Sequence, residues 1–470
     1  MINKIKKLIP RKLLRKILPP YHFLLAWLSA LYYGFPSRRL IVIGITGTTG
    51  KTTTVSLLAK LLSDNAYLSG YSSTTQFNDG RKEWLNDRKM TMPGRFFLQQ
   101  HLSRMFKNGC QVAIIETTSQ GIEQYRHRFI DYDILLYTNL YPEHIEAHGG
   151  FLNYKEAKGR LFSHLKRCKT KYINNDNRVV LKPSSLQKTE LRKLKKTTIV
   201  NGDDEYAPYY LSFWAEKRIA YIDLNLRQER EWLDGEEAIK FLPRIVKFEK
   251  LFSGAEGSDF IYEDYRYHLA LLGSYNIINS VAALSIAREL EVDSQALVES
   301  LTKIQSLPGK MEKIEEKQKF TVMVDYAFEP KAMASLYDNL QLIPHNRLIH
   351  VFGSCGGGRD IARRSILGSM AGSRADIVII TDEDPYDDDP QEIIDQVAAG
   401  AENEGKTLNV NLFKILDRRE AIKKALILAK PGDLLLITGK GAEQFICVAN
   451  NRKIAWDDRE VIREELKKIV

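Results

Sequence analysis

The stretch that decides the fold is Gly44-Ile-Thr-Gly-Thr-Thr-Gly-Lys51-Thr52-Thr53. Its first two residues complete the apolar run Leu40-Ile-Val-Ile-Gly-Ile45, which is typical of a buried strand. A helical pattern begins at about Thr52. Small residues let backbone N–H groups close around phosphate oxygens, and the amino end of a helix favours negative charge. Position 45 is Ile where the strict G-x-x-x-x-G-K-[ST] pattern has Gly. Strand, loop and helix nevertheless follow in the order that a phosphate-binding loop requires, so we predict phosphate binding here.

Strand-like and helical segments alternate on the carboxyl side of this loop, which is typical of α/β layers built on largely parallel sheets. Polar residues end the predicted strands, and ligands gather at such ends in open α/β sheets. A Pro-Gly pair at 308–309 indicates a hinge between two domains. We therefore predict a P-loop central domain at 40–307 with a mostly parallel sheet, and a Rossmann-like α/β domain at 308–470. Residues 180–262 are rich in charge, and we interpret them as the peripheral part of the central domain. The predicted strands lie at 40–45, 112–116, 134–139, 320–325, 347–353, 376–381 and 433–438.

The composition, with 44% hydrophobic and 27% charged residues, is that of an ordinary globular protein. Four scattered cysteines (Cys110, Cys168, Cys355 and Cys447) suggest neither a zinc ribbon nor a disulfide framework, and they fit a reducing, cytosolic setting. The formal charge is +10, but the first eighteen residues hold seven Lys or Arg and no acid. The remainder carries only +3, which argues against nucleic-acid binding.

Residues 1–39 form a basic and apolar segment that we expect to be helical. Its apolar run, 21–35, is shorter than the roughly 20 residues that a spanning helix needs. The basic leader is similar to a signal peptide, but the run continues through Pro36-Ser-Arg-Arg39 into the first strand without a cleavage site. Three interpretations stay open: a helix packed on the protein, an interfacial anchor on anionic lipid, and a span or secretion signal.

The loop T-G-T-x-G-K-T-T resembles that of the Mur ligase superfamily, and further segments extend the resemblance over about residues 40–470. In the central part, Glu116-Thr-Thr-Ser-Gln-Gly121 resembles E-V-S-S-H-G, and Thr138-Asn-Leu-Tyr-Pro-Glu-His144 resembles T-N-L-x-x-D-H. Tyr154-Lys-Glu-Ala-Lys158 matches Y-x-x-A-K. Further matches are Gly273-Ser-Tyr-Asn276-Ile-Ile-Asn279, Pro308-Gly-Lys310-Met-Glu312, Asp325-Tyr-Ala-Phe-Glu-Pro330, 352–360, Gly439-Lys-Gly-Ala-Glu443 and Asp458-Arg459. They fit best the branch that adds the third residue of the peptidoglycan stem peptide.

The resemblance implies an ATP-dependent ligase that activates a carboxylate as an acyl phosphate and joins it to an amine. ATP and Mg²⁺ are the implied cofactors, with MgATP bound between the two domains. The implied acceptor is a UDP-N-acetylmuramoyl-peptide and the donor a free amino acid. When the family's site residues are transferred to this sequence, the resemblance implies that Lys158 is carbamylated and holds Mg²⁺ with Glu116 and His144. It also implies that the Thr52 hydroxyl ligates a further Mg²⁺. The implied catalytic set is Lys51, Glu116, His144, Lys158 and Arg359.

The same carry-over assigns binding residues. The implied nucleotide contacts are Gly47, Thr48, Thr49, Gly50, Lys51, Thr52, Thr53, Asn276, Asn279, Lys310, Asp325 and Tyr326. The implied acceptor contacts are Lys89, Thr91, Ser119, Gln124 and Arg126, and the implied amino-acid contacts are Glu383, Asp384, Tyr386 and Glu443.

The chain departs from the family pattern in three respects. About forty residues precede the loop, so we expect the family's N-terminal uridine-diphosphate domain to be missing, with a lipid-linked acceptor as the alternative. The motif D-N-P-R appears as Glu383-Asp-Pro-Tyr386, followed by three Asp residues. Tyr386 cannot form the arginine's bidentate pair with a carboxylate, and the acidic cluster favours lysine or ornithine as donor. Glu143, Gln120 and Thr49 also replace the usual residues but keep polarity.

Other functions share this pattern. Ligases on the same scaffold extend folate or poly-amino acids, and another relative amidates lipid-linked peptides but carries a four-cysteine zinc ribbon. A nucleotide-dependent scaffold at the membrane would need no second metal set, and a relative that has lost turnover would keep most motifs. We expect a cytoplasmic monomer without nucleic-acid partners, working freely or at the inner face of the membrane.

Overall fold

The computed structural model describes residues 11–88, 90–142, 148–181, 183–226, 243–358, 361–450 and 452–469. The chain divides into two compact units. The first comprises Met1–Phe252, Asp259–His268 and Ser274–Lys303, and the second comprises Ser253–Ser258, Leu269–Gly273 and Ile304–Val470. Both contain helices and largely parallel sheets, so the predicted α/β class is confirmed.

The strands between residues 41 and 269 build a large sheet and a small one. They are β1 (Ile41–Thr46), β2 (Ser69–Ser72), β3 (Gln76–Asn78), β4 (Glu83–Leu85), β5 (Val112–Glu116), β6 (Ile134–Tyr137), β7 (Lys171–Ile173), β8 (Val179–Val180), β9 (Arg192–Leu194), β10 (Thr197–Asn201), β11 (Lys217–Asp223), β12 (Arg244–Gly254), β13 (Gly257–Tyr262) and β14 (Tyr265–Leu269). The large sheet has the order β14-β13-β12-β11-β10-β6-β1-β5-β2-β3-β4, and the small one the order β8-β7-β9.

The helices of the first unit cover this sheet. They are α1 (Arg11–Tyr32), α2 (Lys51–Asp64), α3 (Arg95–Lys107), α4 (Ser119–Glu123), α5 (Phe151–Leu165), α6 (Ser185–Glu190), α7 (Ala207–Leu211), α8 (Ser274–Glu289) and α9 (Ser294–Thr302), with a 3₁₀ turn at Pro36–Arg39. Because helices lie on both sides of the central strands, β1 is buried along its whole length and its sequence is a continuous apolar run.

The centre of the large sheet is parallel, from β12 through β11, β10, β6, β1 and β5 to β2. Ile45 is in register with Glu116, and Thr46 with Tyr137. The carboxyl ends of β1, β5 and β6 therefore meet at one edge, where parallel sheets hold their ligands.

The interpretation of residues 180–262 as peripheral is only partly correct for their described part, because β12 and β13 lie towards one edge of the large sheet but β10 and β11 lie further in. These residues supply β10, β11, β12 and β13 to the large sheet, and β10 pairs directly with β6. All five residues of β10 are buried, and Tyr210 of α7 lies in the same core. These strands were not predicted, because the sequence around and within them is rich in charged residues.

The second unit is a six-stranded sheet with helices on both faces. Its strands are β15 (Glu312–Ile314), β16 (Thr321–Asp325), β17 (Leu348–Phe352), β18 (Ile377–Ile380), β19 (Leu412–Lys414) and β20 (Leu434–Thr438), in the order β15-β16-β20-β17-β18-β19. A hairpin, β21 (Phe445–Val448) and β22 (Arg452–Ala455), follows. The helices are α10 (Pro330–Leu340), α11 (Ala362–Arg374), α12 (Pro390–Asn403), α13 (Arg418–Leu428) and α14 (Asp458–Ile469).

Two apolar clusters hold this unit together. Helices α10, α11 and α12 pack on one face of the sheet, for example through Leu336, Leu367 and Val397. Helices α13 and α14 pack on the other face through Ile422 and Ile462. Within the six-stranded sheet, all strand pairs except β15 with β16 are parallel, as expected for a doubly wound sheet.

Two findings bear on the environment of the chain. Within the described ranges, no helix combines the length and apolar character needed to cross a bilayer. All four cysteines are buried free thiols.

Candidate active site

The loop between β1 and α2 is held by the residues that follow β6. Thr48 N donates to Asn139 O at 2.9 Å, and Thr49 N donates to Asn139 Oδ1 at 2.9 Å. Thr138 Oγ1 in turn donates to Thr49 O at 2.7 Å. Because β1 and β6 are parallel neighbours, these contacts brace the loop at the ligand edge of the sheet.

Two glycines give this loop its shape. Gly47 has φ +153° and Gly50, the residue before α2, has φ +80°. A Cβ at Gly47 would lie 1.9 Å from Thr138 Oγ1, and one at Gly50 would lie 2.3 Å from Asn279 Oδ1. Both positions thus require glycine for conformation and for space. The same contacts bring Asn279 of α8 to the loop, with Asn276 Oδ1 accepting from Asn279 Nδ2 at 3.4 Å.

The first residues of α2 carry the charge and hydroxyl groups of the loop. Lys51 Nζ donates to Thr48 O at 2.6 Å, so the ammonium group lies over the loop. Thr52 is half-buried and Thr53 is buried at the start of the helix. The helix dipole and the loop N–H groups add to the Lys51 charge, and the ensemble suits a chain of phosphates.

Glu116, the last residue of β5, lies beside the loop and is only 1% exposed. Its carboxylate accepts from Thr52 Oγ1 at 3.0 Å, from Thr74 Oγ1 at 2.9 Å and from Thr74 N at 2.8 Å. Thr74 was not among the predicted site residues. The polar run Ser72-Ser-Thr-Thr75 directly after β2 is the signal that could have found it, because β2 pairs with β5.

Lys158 of α5 is also 1% exposed, and its Nζ donates to Gly47 O at 2.7 Å. The Tyr154 ring lies 4.6 Å from this Nζ, and the Tyr154 hydroxyl lies 3.2 Å from Thr48 Oγ1. A buried lysine against the phosphate loop is unusual, since lysines are almost never fully buried unless paired. Lys158 therefore belongs to the loop's own set of contacts.

The donor set here suits a hard cation. The Thr52 hydroxyl and the Glu116 carboxylate are adjacent oxygen ligands of the kind that Mg²⁺ prefers. His144 and Arg359 lie outside the described residues, as does Lys89. In the described part of the chain, no three His, Cys, Asp or Glu side chains are grouped as a metal site.

A second cluster lies at α4, just beyond β5. Ser119 Oγ is 3.0 Å from His148 Nε2, and His148 Nδ1 is 3.1 Å from Glu123 Oε1. Ser119 and His148 are both buried. His148 therefore contacts Ser119 through Nε2, while Glu123 lies near its other ring nitrogen without a hydrogen bond to it. The sequence analysis assigned only Ser119.

Two arginines lie beside this cluster. Arg126 donates to Met92 O and, at 2.7 Å, to Gln124 Oε1, while Arg95 donates to Gln124 O. Burial lowers the pKa of Arg126, and burial together with the nearby Arg126 charge lowers the pKa of Arg95 to about 10. Two neighbouring guanidinium groups favour an anionic ligand. Thr91 lies close to Glu116 instead, since its Oγ1 is 2.8 Å from Thr74 Oγ1.

In the second unit the predicted nucleotide contacts lie together at the end of β16. Lys310 Nζ is 4.9 Å from the centre of the Tyr326 ring, and Tyr326 OH donates to Glu443 Oε1 at 3.2 Å. Asp325 accepts from Met311 N and Ala327 N at 2.8 and 2.7 Å, and burial raises its pKa. Lys310, Asp325, Tyr326 and Glu443 thus form one cluster.

The acidic loop after β18 makes many contacts within the unit. Lys440 Nζ lies 3.0 Å from Asp384 Oδ1 and 2.6 Å from Glu443 Oε2. Asp388 accepts from Gly357 N, and Asp389 from Gln391 N. Tyr386 has φ +54° and packs where a side chain on Gly357 would lie. Glu383 accepts from Cys355 Sγ at 2.9 Å through Oε1, whereas its buried Oε2 has no hydrogen-bond partner within the described ranges.

The strand–loop–helix unit and the carboxylate beside it define an α/β protein that binds nucleotide phosphates through a P-loop. Family models extend this: the Mur ligase middle domain matches residues 45–198, and the Mur ligase glutamate ligase domain matches residues 309–441. A UDP-N-acetylmuramyl-tripeptide synthetase of Roseiflexus sp. (strain RS-1) is 33% identical over 95% of this chain and 82% of its own length. The chain belongs to the Mur ligase family, and it is a ligase that forms carbon–nitrogen bonds.

Solved structures agree. A UDP-N-acetylmuramoyl-L-alanyl-D-glutamate–2,6-diaminopimelate ligase superposes with a TM-score of 0.54 at 27% identity, over 92% of this chain and 79% of that one. A folylpolyglutamate synthase of Mycobacterium tuberculosis has a TM-score of 0.59 at 15% identity, over 90% and 96% of the two chains, and shares the fold.

Proposed function

We propose that this chain uses ATP to join a free amino acid to the carboxyl group of a UDP-N-acetylmuramoyl-peptide. The observation that carries the proposal is the cluster of Lys51, Thr52, Glu116 and Lys158 around one phosphate loop. Similarity to tripeptide synthetases over nearly the whole chain supports this choice of substrate.

Phosphate binding is the first step of the proposed reaction. The N–H groups of the loop and the amino end of α2 surround the phosphates, and Lys51 moves from Thr48 O to the β- and γ-phosphates. Asn279 lies next to Gly50 and is hydrogen bonded to Asn276, and in this proposal both contact the nucleoside side of ATP. The family resemblance also assigns Lys310, Asp325 and Tyr326 of the second unit to the nucleotide.

Thr52 and Glu116 would hold Mg²⁺, and Mg²⁺, when bound, would neutralise charge on the phosphates as the γ-phosphoryl group moves. We infer that Lys158 is carbamylated: its amine adds to CO₂ and releases a proton, which turns a cation into an oxygen ligand. The position of Lys158 supports this, because it is buried against Gly47 O and a carbamate there would add an anionic oxygen ligand beside the phosphate loop. His144 completes the proposed ligand set, and Arg359 the phosphate contacts.

In this proposal the acceptor contacts Ser119, Gln124 and Arg126, and Thr91 contacts it nearer to Glu116. The family resemblance also assigns Lys89, which lies outside the described residues. The paired guanidinium groups of Arg126 and Arg95 favour a carboxylate-bearing acceptor. The acceptor carboxylate attacks the γ-phosphorus of ATP, and ADP leaves. The result is an acyl phosphate.

The incoming amine then attacks the acyl carbon and phosphate leaves from a tetrahedral intermediate. Glu383, Asp384, Tyr386 and Glu443 lie in the proposed donor site, and Lys440 already neutralises Asp384 and Glu443. The unsatisfied Glu383 Oε2 favours a donor that carries a second ammonium group, such as lysine or ornithine. We expect the enzyme to act as a monomer in the cytoplasm, and the four free thiols fit such a reducing compartment.

The test incubates the purified chain with MgATP, UDP-N-acetylmuramoyl-dipeptide and single amino acids, and measures phosphate release and product mass. We expect a product heavier by lysine or ornithine. Lys158→Met should lower kcat by roughly a hundredfold, whereas Lys155→Ala on the same helix should not. A ¹³C carbamate signal after labelling with ¹³CO₂ should disappear in Lys158→Met. Full activity of that variant would refute the carbamylated-lysine site, and diaminopimelate as preferred donor would refute the donor selectivity.

A further inference from the structure

Helix α1 presents a broad apolar surface to solvent. Six large side chains on one side of this helix are between 39% and 76% exposed. We call them the N-terminal apolar face: Tyr21, Leu24, Trp27, Leu28, Leu31 and Tyr32. Their spacing of three or four residues places them along a single face over several turns. Contiguous apolar surface of this kind marks an interaction site.

The opposite side of α1 is docked on the first unit. Ala26, Ser29 and Ala30 are buried, and the Phe23 ring, although 42% exposed, packs edge-on against Phe129 at 5.2 Å. The Arg128 guanidinium lies 6.0 Å from the Phe23 ring. The helix is therefore fixed in orientation, and its apolar face points outward because the other face is already covered.

The charge around this face has one sign. Residues 1–39 contain nine Lys or Arg, and the first acidic residue of the chain is Asp64. Seven of the nine cations precede the apolar face in sequence, and the other two, Arg38 and Arg39, directly follow it. An apolar face with cations at both ends is the pattern of helices that lie in the interface of an anionic membrane.

A small cleft continues this surface at the carboxyl end of α1. It has a volume of about 380 Å³ and is lined by Tyr32, Tyr33, Pro36, Arg39, Ser103, Phe106 and Lys107. The Arg39 guanidinium lies 5.0 Å from the Phe106 ring. Two cations and three aromatic rings with no acid among them suit a phosphate headgroup at the level of the glycerol backbone.

We propose that the chain binds the surface of an anionic phospholipid membrane, with α1 lying in the interface and the N-terminal apolar face buried among the lipids. A second copy of the chain would place two acid-free cationic segments against each other, which is unfavourable. Nucleic acid would pair with the cations but would leave the leucines exposed. An anionic bilayer satisfies both the charge and the apolar surface.

The experiment measures partition of the full-length chain onto vesicles of phosphatidylcholine alone and of phosphatidylcholine with 30% phosphatidylglycerol, by flotation. We expect binding to the anionic vesicles that weakens with salt. The double variant Leu24→Asp, Leu28→Asp should lower the partition coefficient at least about tenfold. Arg39→Gln with Lys107→Gln should lower it by roughly fivefold for each cation removed. The control Leu186→Asp, at an 83% exposed leucine of α6, should change nothing.

Two further readouts decide between occupants. Brominated lipid should quench part of the tryptophan fluorescence of the original chain, because Trp27 is proposed to lie among the lipids. The Trp27→Phe variant should lack this quenched part. Light scattering checks for self-association: a dimer that the Leu24/Leu28 variant dissociates, without vesicle binding by the original chain, would overturn the proposal. Equal binding of the original and the Leu24/Leu28 variant would overturn it as well.

Discussion

At the scale of single residues, the phosphate loop depends on how closely neighbouring backbones approach. Gly47 is enclosed by Thr138, and Gly50 by Asn279, so both glycines are set by contacts from elements distant in sequence. Thr138 also donates to the carbonyl oxygen of Thr49, and the next residue, Asn139, accepts from the Thr49 amide. The conformation of the loop therefore depends on the same neighbouring segment that hydrogen bonds to it.

The change Gly47→Ala tests this. Its Cβ would meet Thr138 Oγ1 at 1.9 Å and displace the hydroxyl that holds Thr49 O, at a φ that alanine rarely adopts. We expect ATP affinity, measured calorimetrically with a non-hydrolysable analogue, to fall by at least about tenfold, or ~1.4 kcal/mol. Gly94→Ala is the control, because Gly94 has φ −55° and open space at its Cβ. Normal affinity of Gly47→Ala would show that the loop relaxes without cost.

At the scale of elements, β17 carries a buried histidine between its neighbours. His350 Nδ1 lies 2.7 Å from Tyr337 OH of α10, and Nε2 lies 2.9 Å from Thr438 Oγ1 of β20. Burial lowers the pKa of His350 to about 3, below its ordinary value of 6.5. Both ring nitrogens are engaged while the ring is neutral.

This pKa shift predicts acid sensitivity of the second unit. Between pH 6.5 and about 3 the unfolded histidine binds a proton that the folded one does not, so the unfolding free energy falls as the pH falls. The contribution of His350 is about 1.4 kcal/mol per pH unit in this window. His350→Gln, which retains a donor and an acceptor but does not titrate, should have a slope smaller by that amount in urea denaturation. Identical slopes would mean that His350 does not control acid unfolding.

At the scale of the whole molecule, one buried carboxylate joins several elements of the first unit. Asp133 lies just before β6 and accepts from Val42 N of β1, from Lys171 Nζ of β7 and from Lys196 Nζ just before β10. All three side chains are buried, and burial lowers the pKa of Lys171. The amino edge of the sheet is thus held by one anion between two cations.

Asp133→Asn would leave two buried ammonium groups facing a neutral amide. We expect a loss of about 3–5 kcal/mol in the unfolding free energy of the first unit, measured by hydrogen exchange of the β6 and β10 amides. The control Asp259→Asn breaks surface pairs with Arg266 and His268 and should cost about 0–1 kcal/mol. Equal effects of the two changes would show that the buried network is replaceable.

Most of the fold could be predicted from sequence because the parallel strands are buried on both faces and are written as apolar runs. β1, β5, β17 and β20 were found within one or two residues for this reason. β10 and β11 were missed, since their stretch is rich in charges. The average composition of such a region indicates exposure. Its burial, however, depends on the few residues of β10 that pair with β6.

The sequence by itself determined the phosphate loop, the α/β class and the family motifs, because these depend on short local patterns of small, apolar and polar residues. Only the tertiary structure decided that Thr74 binds Glu116, that His148 contacts Ser119, and that Lys440 neutralises Asp384 and Glu443. It also decided which side of α1 is covered. These contacts join residues far apart in the chain, and distance along a sequence carries no information on which side chains a sheet edge brings together.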